Sequence, residues 1–297
     1  MSEEIELRHL RYFLAVAEAL HFTKAAKQLG IAQPPLSQQI KKLEQLLGHP
    51  LFVRTTRGVR LTPAGSMLAT RARDTLDKVR DDLAQVRRLG RGEEGTLTVG
   101  FSGSVMFTNL PLAIQAFRRR YPKVELRLRE LVTSAQLAAL LDRTIDLAFL
   151  RDGDPTEGIE INTLLKERFL AVLPESHSLA TRTSLRMKDL AGERFILFAR
   201  HHGSLAYDRT IDCCERAGFT PNIVQEAPQF PTVVRLVAAG LGVSLVPACL
   251  ANLAIPGTVY REVQTTARTT VDSGIRAAST CTMTANFLAL AQKHLTK

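Results

Sequence analysis

Ser37, Gln38 and Lys41 put a hydroxyl, an amide and an ammonium group at positions that share one face of a helix. Groups of these types suit base edges and phosphates in the DNA major groove. A second set of candidates stands at the ends of short apolar runs further along the chain. It comprises Ser102 and Ser104 in GFSGS, Thr133 with Ser134, Arg151 directly after DLAFL, Gly203, Ser204 and Leu205 after FILFARHH, and Phe230 in the stretch 228 to 232. Hydroxyls and helix-start N–H groups beyond the carboxyl ends of strands favour an anion, and a guanidinium there can take a carboxylate in bidentate fashion. Each residue alone is a turn or capping group; their common location assigns them, as a set, a ligand.

The first trio needs a helix to present it. Residues 23 to 47, TKAAKQLGIAQPPLSQQIKKLEQLL, read as two short helices joined by a turn at 30 to 33. Thr23 is the expected N-cap and Gly30 the left-handed stop, while Pro34 and Pro35 suit the opening turn of the second helix. Leu36, Ile40, Leu43 and Leu47 repeat at steps of four, three and four, an apolar stripe that faces inward. Residues 7 to 20 add a first helix with Leu10, Phe13, Leu14, Ala17 and Leu20 on its core face. LFVRTTRGVRLT alternates as a hairpin around 55 to 58, and its Arg54, Arg57 and Arg60 form a basic wing for the phosphate backbone or minor groove. Charge follows the same division. Nine cations face two acids between residues 8 and 62, so +7 of the total +10 lies in this short module. A basic module on a nearly neutral body points to a polyanion partner for the module alone.

Thr62 and Pro63 open a long helix to about Arg91, in which Ala72, Leu76, Val79, Leu83 and Val86 form a seam that asks for a partner helix. GRGEEG at 90 to 95 then reads as a hinge. Beyond it, short apolar strands alternate with helical stretches, which predicts an α/β body with a mostly parallel sheet and two lobes joined at the crossover RFLAVLP. The expected division is a winged helix-turn-helix at 1–62, a linker helix at 63–91 and a ligand-binding body at 94–297. Its first lobe takes about 94–165 plus 268–297, its second about 166–267.

Several classes are disfavoured. No apolar run approaches the ~20 residues of a membrane span, and the acidic start MSEEIELRHL is unlike a signal peptide, so a cytoplasmic protein is expected. Cys213, Cys214, Cys249 and Cys281 have neither metal-ligand nor disulfide-framework spacing; a thiol-based redox response is the alternative they leave. GFSGS fails the G-x-S-x-G pattern of a hydrolase because position 104 is serine, and nothing in the spacing ties His201 and His202 to Ser102. No catalytic residue, metal or cofactor is assigned.

The run LRYFLAVAEALHFTKAAKQLGIAQPPLSQQIKKLEQLLGHPLFVRTTRGVRLTPAG closely resembles the N-terminal winged helix-turn-helix of the LysR-type transcriptional regulators. The likeness includes F-T-K-A-A, Q-P-P-L-S, L-E, LF-R and L-T-x-A-G. That resemblance implies DNA contacts at Gln33, Pro34, Pro35, Ser37, Gln38 and Lys41, with Arg54 and Arg57 on the wing; Thr23, at the head of the motif, completes the DNA-binding set. It also implies a dimerising linker helix, a homotetramer, a body resembling a periplasmic solute-binding protein, and RNA polymerase as a further partner. The expected ligands are a double-stranded DNA operator and a small organic-acid effector. Ser104, Thr133 and Arg151 match carboxylate-binding positions in regulators of aromatic-compound catabolism, whereas Leu205 stands where such relatives often carry an aromatic residue.

Overall fold

The computed structural model describes residues 4–55, 58–277 and 279–296. They form two compact units, 1–87 and 88–297. The first is built from α1 (Leu7–Ala19), α2 (Phe22–Leu29), α3 (Gln33–Leu47), the hairpin β1 (Phe52–Thr55) and β2 (Gly58–Leu61), and most of α4 (Pro63–Gly90). Its core joins Phe13, Phe22, Leu36, Ile40, Leu43 and Phe52. Phe52 is central: its ring centroid lies 5.3 Å from that of Phe13 and 5.8 Å from that of Phe22.

Three expectations are corrected here. Thr23 is not the N-cap of α2. The cap stands two residues earlier, at His21, because Phe22 belongs to the core, and His21 Nδ1 accepts the Lys24 N–H. Leu20 closes α1 in a left-handed conformation, φ 47°, and is exposed; Leu47, in the last position of α3, is exposed as well. Periodicity cannot report that a helix has outrun the body it covers.

Thr62 caps α4 by accepting the Gly65 N–H at 2.9 Å while its hydroxyl donates to Pro50 O. Gly65 is required there, since a Cβ would stand 2.2 Å from the Leu51 carbonyl oxygen. Of the 28 residues in α4 only Gly65 and Ala72 are buried. The seam continues outward uncovered, with Leu83 53% and Val86 65% exposed.

The second unit contains β3 (Glu94–Phe101), α5 (Leu110–Arg120), β4 (Lys123–Glu130), α6 (Thr133–Leu141), β5 (Leu147–Arg151), β6 (Ile159–Pro174), β7 (Ser184–Arg186) and β8 (Arg194–Phe198). It continues with α7 (Ser204–Arg216), β9 (Asn222–Ala227), α8 (Phe230–Ala238), β10 (Ser244–Pro247), β11 (Thr258–Gln264), β12 (Arg268–Arg276) and α9 (Thr282–Leu295). The main sheet runs β4-β3-β5-β12-β6-β11-β7, with β10 also on β6, and β8 pairs with β9 in a second sheet.

The sheet is mixed, which corrects the mostly parallel expectation. β3 pairs in parallel with β4 and β5, but β12 returns antiparallel between β5 and β6. The crossover RFLAVLP is itself strand, the second half of the 16-residue β6. Residues 159–168 of β6 pair with β12, and residues 169–174 pair with β10 and β11. Two lobes result, each with its own core. Phe117, Phe149 and Phe287 stand in one, where α9 returns against α5. Phe169, Phe195 and Leu245 stand in the other, with Ile196, Phe230 and Val234 in an adjoining cluster.

Candidate functional site

In the first unit, burial sorts α3 into two faces. Leu36, Ile40 and Leu43 are at most 1% exposed. Pro34, Pro35, Gln38 and Lys41 are exposed, Gln33 and Ser37 half-buried, and Thr23 is exposed at the second position of α2. The helix begins with Ala32 at its cap and proline in its first turn, where a missing N–H costs nothing. Two residues not singled out from sequence hold α3 in place. His9 is buried; its Nδ1 accepts the Glu6 N–H, so Nε2 carries the proton and donates to Gln39 Oε1 at 3.0 Å. Glu44 Oε1 accepts the N–H groups of Leu51 and Phe52, which ties α3 to the start of the wing. On the wing, Arg54 sits in β1 opposite Val59 and Arg60 is exposed; Arg57 lies outside the described residues.

The polar set of the second unit converges in part. Ser102, Ser104, Thr133 and Arg151 are all less than 9% exposed. GFSGS leads into a single 3-10 turn, Gly103–Phe107. Arg151, read from sequence as the one available cation, is engaged on every side. Its Nε donates to Ser104 Oγ at 3.2 Å, one terminal nitrogen to Glu167 Oε2 at 2.6 Å, and the other to Cys249 Sγ at 3.4 Å. Cys249 reciprocates: its N–H donates to Glu167 Oε1 and its thiol to Ser104 O. Burial alone disfavours the Arg151 charge, but Cys249 and Glu167 beside it outweigh that, and the guanidinium is held above its ordinary pKa.

Proton allocation decides what each hydroxyl can do. Ser104 accepts from Arg151 and Ser102 accepts from Gln136 Nε2 at 3.0 Å, so each serine keeps its own proton to donate. Thr133 donates to Arg151 O at 3.0 Å and can therefore only accept. Ser102 hydrogen-bonds to an amide donor, an arrangement unlike that of a nucleophile beside a base.

Across the gap between lobes, a Cβ on Gly203 would stand 3.5 Å from Thr133 Cβ and 3.2 Å from the Phe198 ring, which stacks on Phe230 at 5.2 Å. Ser204 reaches back to Asp154 at 2.5 Å, and Ser134 donates to His201 O. Leu205 lies half-buried one residue into α7.

Glu167, Cys249 and Gln136 carried no sequence signal. Cys249 looks like any apolar residue after GVSLVP, and Glu167 lies within a strand, β6, whose full length is invisible in the periodicity. Cys213, Cys214 and Cys249 are buried thiols. Burial pushes those of Cys214 and Cys249 up to about 12 and raises Cys213, whereas reactive thiols have depressed values.

Comparison with known proteins finds matches for both units. Residues 7–66 match the bacterial regulatory helix-turn-helix protein model of the lysR family, and residues 90–282 match the LysR substrate binding domain. The chain is 44% identical over 245 residues to YnfL of Escherichia coli, an uncharacterised HTH-type transcriptional regulator, covering 82% of each chain. It is 40% identical over 259 residues to AlsR of Bacillus subtilis, covering 87% of this chain and 86% of that one. The crystal structure of full-length CbnR complexed with its target DNA superposes with a TM-score of 0.81 at 30% identity, covering 98% of this chain and all of the other.

Proposed function

The chain belongs to the LysR family of DNA-binding transcriptional regulators, and on that footing we propose that its regulatory body senses a small organic acid and so alters operator binding. One observation carries the effector class. In a site closed to water, two serine hydroxyls retain protons to donate beside a charged guanidinium, Arg151, a set that suits a carboxylate. Thr133, limited to accepting, suits a neighbouring hydroxyl or protonated group of the same ligand. Gly203, Ser204, Leu205 and Phe230 supply the opposing wall.

A ligand carboxylate on Arg151 competes with Glu167. Because Glu167 also holds the Cys249 N–H of the second lobe, replacing that contact alters how the lobes join. Such a change shifts the protein only if the ligand prefers one arrangement of the lobes.

Residues 1–62 act as the operator reader. Thr23, Gln33, Pro34, Pro35, Ser37, Gln38 and Lys41 face the DNA with Arg54 and Arg57 on the wing. The polar outer face of α3 supports this reading, as does the likeness to CbnR, which has been crystallised on its target DNA. Residues 63–91 form the linker, whose exposed seam joins two copies; a dimer of such dimers gives the tetramer. The body, 94–297, has a sensing and not a catalytic role, and the protein acts in the cytoplasm, where its operator is.

A thermal-shift screen of aromatic and dicarboxylic acids against the full chain tests the effector assignment. A stabilising acid should lose its effect in Arg151→Ala while operator binding survives; an undiminished shift in that variant refutes the assignment.

A further inference from the structure

Directly after Arg151 the backbone turns left-handed at Asp152, φ 50°. The residue is 1% exposed and surrounded by donors. The Thr269 hydroxyl lies 2.7 Å from its Oδ2; the Thr270 N–H lies 2.8 Å and Arg209 Nε 3.1 Å from its Oδ1. Asp272 is 4% exposed. Its Oδ2 accepts the Gly153 N–H at 2.8 Å, while its Oδ1 is buried without a partner.

Between the two acids stands one hydroxyl. Thr270 Oγ1 is 2.7 Å from Asp272 Oδ2 and 3.2 Å from Asp152 Oδ1. A hydroxyl has a single proton to donate. With both carboxylates ionised, one of these contacts sets lone pair against lone pair where water cannot intervene. One further proton on the pair resolves the conflict: a carboxyl O–H donates to Thr270 Oγ1, and the Thr270 O–H donates to the other carboxylate.

Charge matching gives the same count. One proton leaves the pair with a single negative charge, opposite the single guanidinium of Arg209 on α7. The other charged groups nearby do not alter this. Arg151 on β5 also favours the ionised form of Asp152, but its charge is balanced by Glu167; Asp154 in the adjoining loop accepts from Ser204, and Lys166 on β6, opposite Thr270 in register, is exposed. Burial raises the Asp152 carboxyl above the usual carboxylate range, against the lowering effect of Thr269 and Arg209.

We propose that Asp152, Thr270 and Asp272 form a buried relay that holds one proton, and that the Asp152–Arg209 ion pair makes the docking of α7 against the first lobe depend on that proton. Loss of the proton adds a second buried negative charge beside Arg209 and tightens that ion pair. A second proton neutralises Asp152 and releases Arg209. Docking of α7 therefore loosens as protons are added to the pair.

Infrared spectroscopy of the full-length chain at about pH 6, some two units above ordinary carboxylates, tests the relay. The wild-type protein should show the C=O stretch of a protonated carboxyl, and Asp152→Asn and Asp272→Asn should each lose it. Arg209→Met should keep the band and carry its disappearance to higher pH, because the cation favouring ionisation is gone. In the same variant, amide hydrogen exchange across Ser204–Arg216 should quicken severalfold. A wild-type spectrum without the band, or a band that persists in both Asn variants, overturns the relay. Unchanged exchange in Arg209→Met overturns its coupling to α7. The wild-type spectrum decides the relay even where a variant fails to fold.

Discussion

Arg151 donates to Glu167 across 2.6 Å with side chains only 3% and 9% exposed, so a cation read from sequence as open to a ligand is already neutralised from within the chain. A buried pair of this kind adds little to stability as a whole, but removing one partner strands the other charge at a cost of about 3–5 kcal/mol.

Glu167→Ala should therefore lower the stability of the regulatory unit by that amount, measured by urea denaturation of the full chain followed by circular dichroism. Glu167→Gln, which keeps an acceptor, should cost clearly less. Equal and small losses in both would show that Arg151 finds another partner.

Thr62 and Thr23 offer a direct contrast between a cap that is used and one that is not. Thr62→Ala should cost about 1 kcal/mol, since the Gly65 N–H loses its acceptor. Thr23→Ala, on an exposed position beyond the cap, should stay within about 0.5 kcal/mol. Thermal melts of the two variants side by side check the ordering.

On α3, Lys41→Ala should weaken binding to all DNA sequences alike and flatten the logarithmic salt dependence by about one unit. Gln38→Ala should instead narrow the gap between operator and random DNA. Titrations of both DNAs at several salt concentrations separate the two roles, and a common factor in both variants contradicts the division.

Leu83→Glu with Val86→Glu should disrupt self-association by placing charges in the α4 seam while leaving the fold of each unit intact. Sedimentation equilibrium should report a smaller species and operator titrations a loss of affinity, because paired half-site binding raises effective concentration. An unchanged mass would place the interface elsewhere.

The recognition helix was largely legible in the sequence because local signals and tertiary packing agree there. Pro34 and Pro35 mark its start, and Leu36, Ile40 and Leu43 define its buried face. The polar cluster of the second unit was legible only as a location. Ser102, Ser104, Thr133 and Arg151 lie at strand or helix ends that patterning can find, but their hydrogen-bond roles depend on Gln136, Glu167 and Cys249. Those partners come from elements up to 145 residues apart in the chain. The parallel-sheet expectation failed for a related reason. β12 enters the sheet from the far end of the chain, and its direction is set by where it must return, which nothing in its own residues, RTTVDSGIR, encodes.

β6 belongs to both lobes, its first ten residues laddered to β12 and its last six to β10 and β11. The lobes thus share one hydrogen-bonded strand, so neither is an exchangeable module. A chimera that grafts the sensing lobe of one regulator onto the frame of another would have to cut a ladder in mid-strand, where a one-residue offset turns every side chain to the opposite face. Grafts that carry β6 and β12 across together should keep their register, and altered ligand specificity in such chimeras is more readily reached by exchanging the loops around Gly203 and Phe230 than by exchanging a whole lobe.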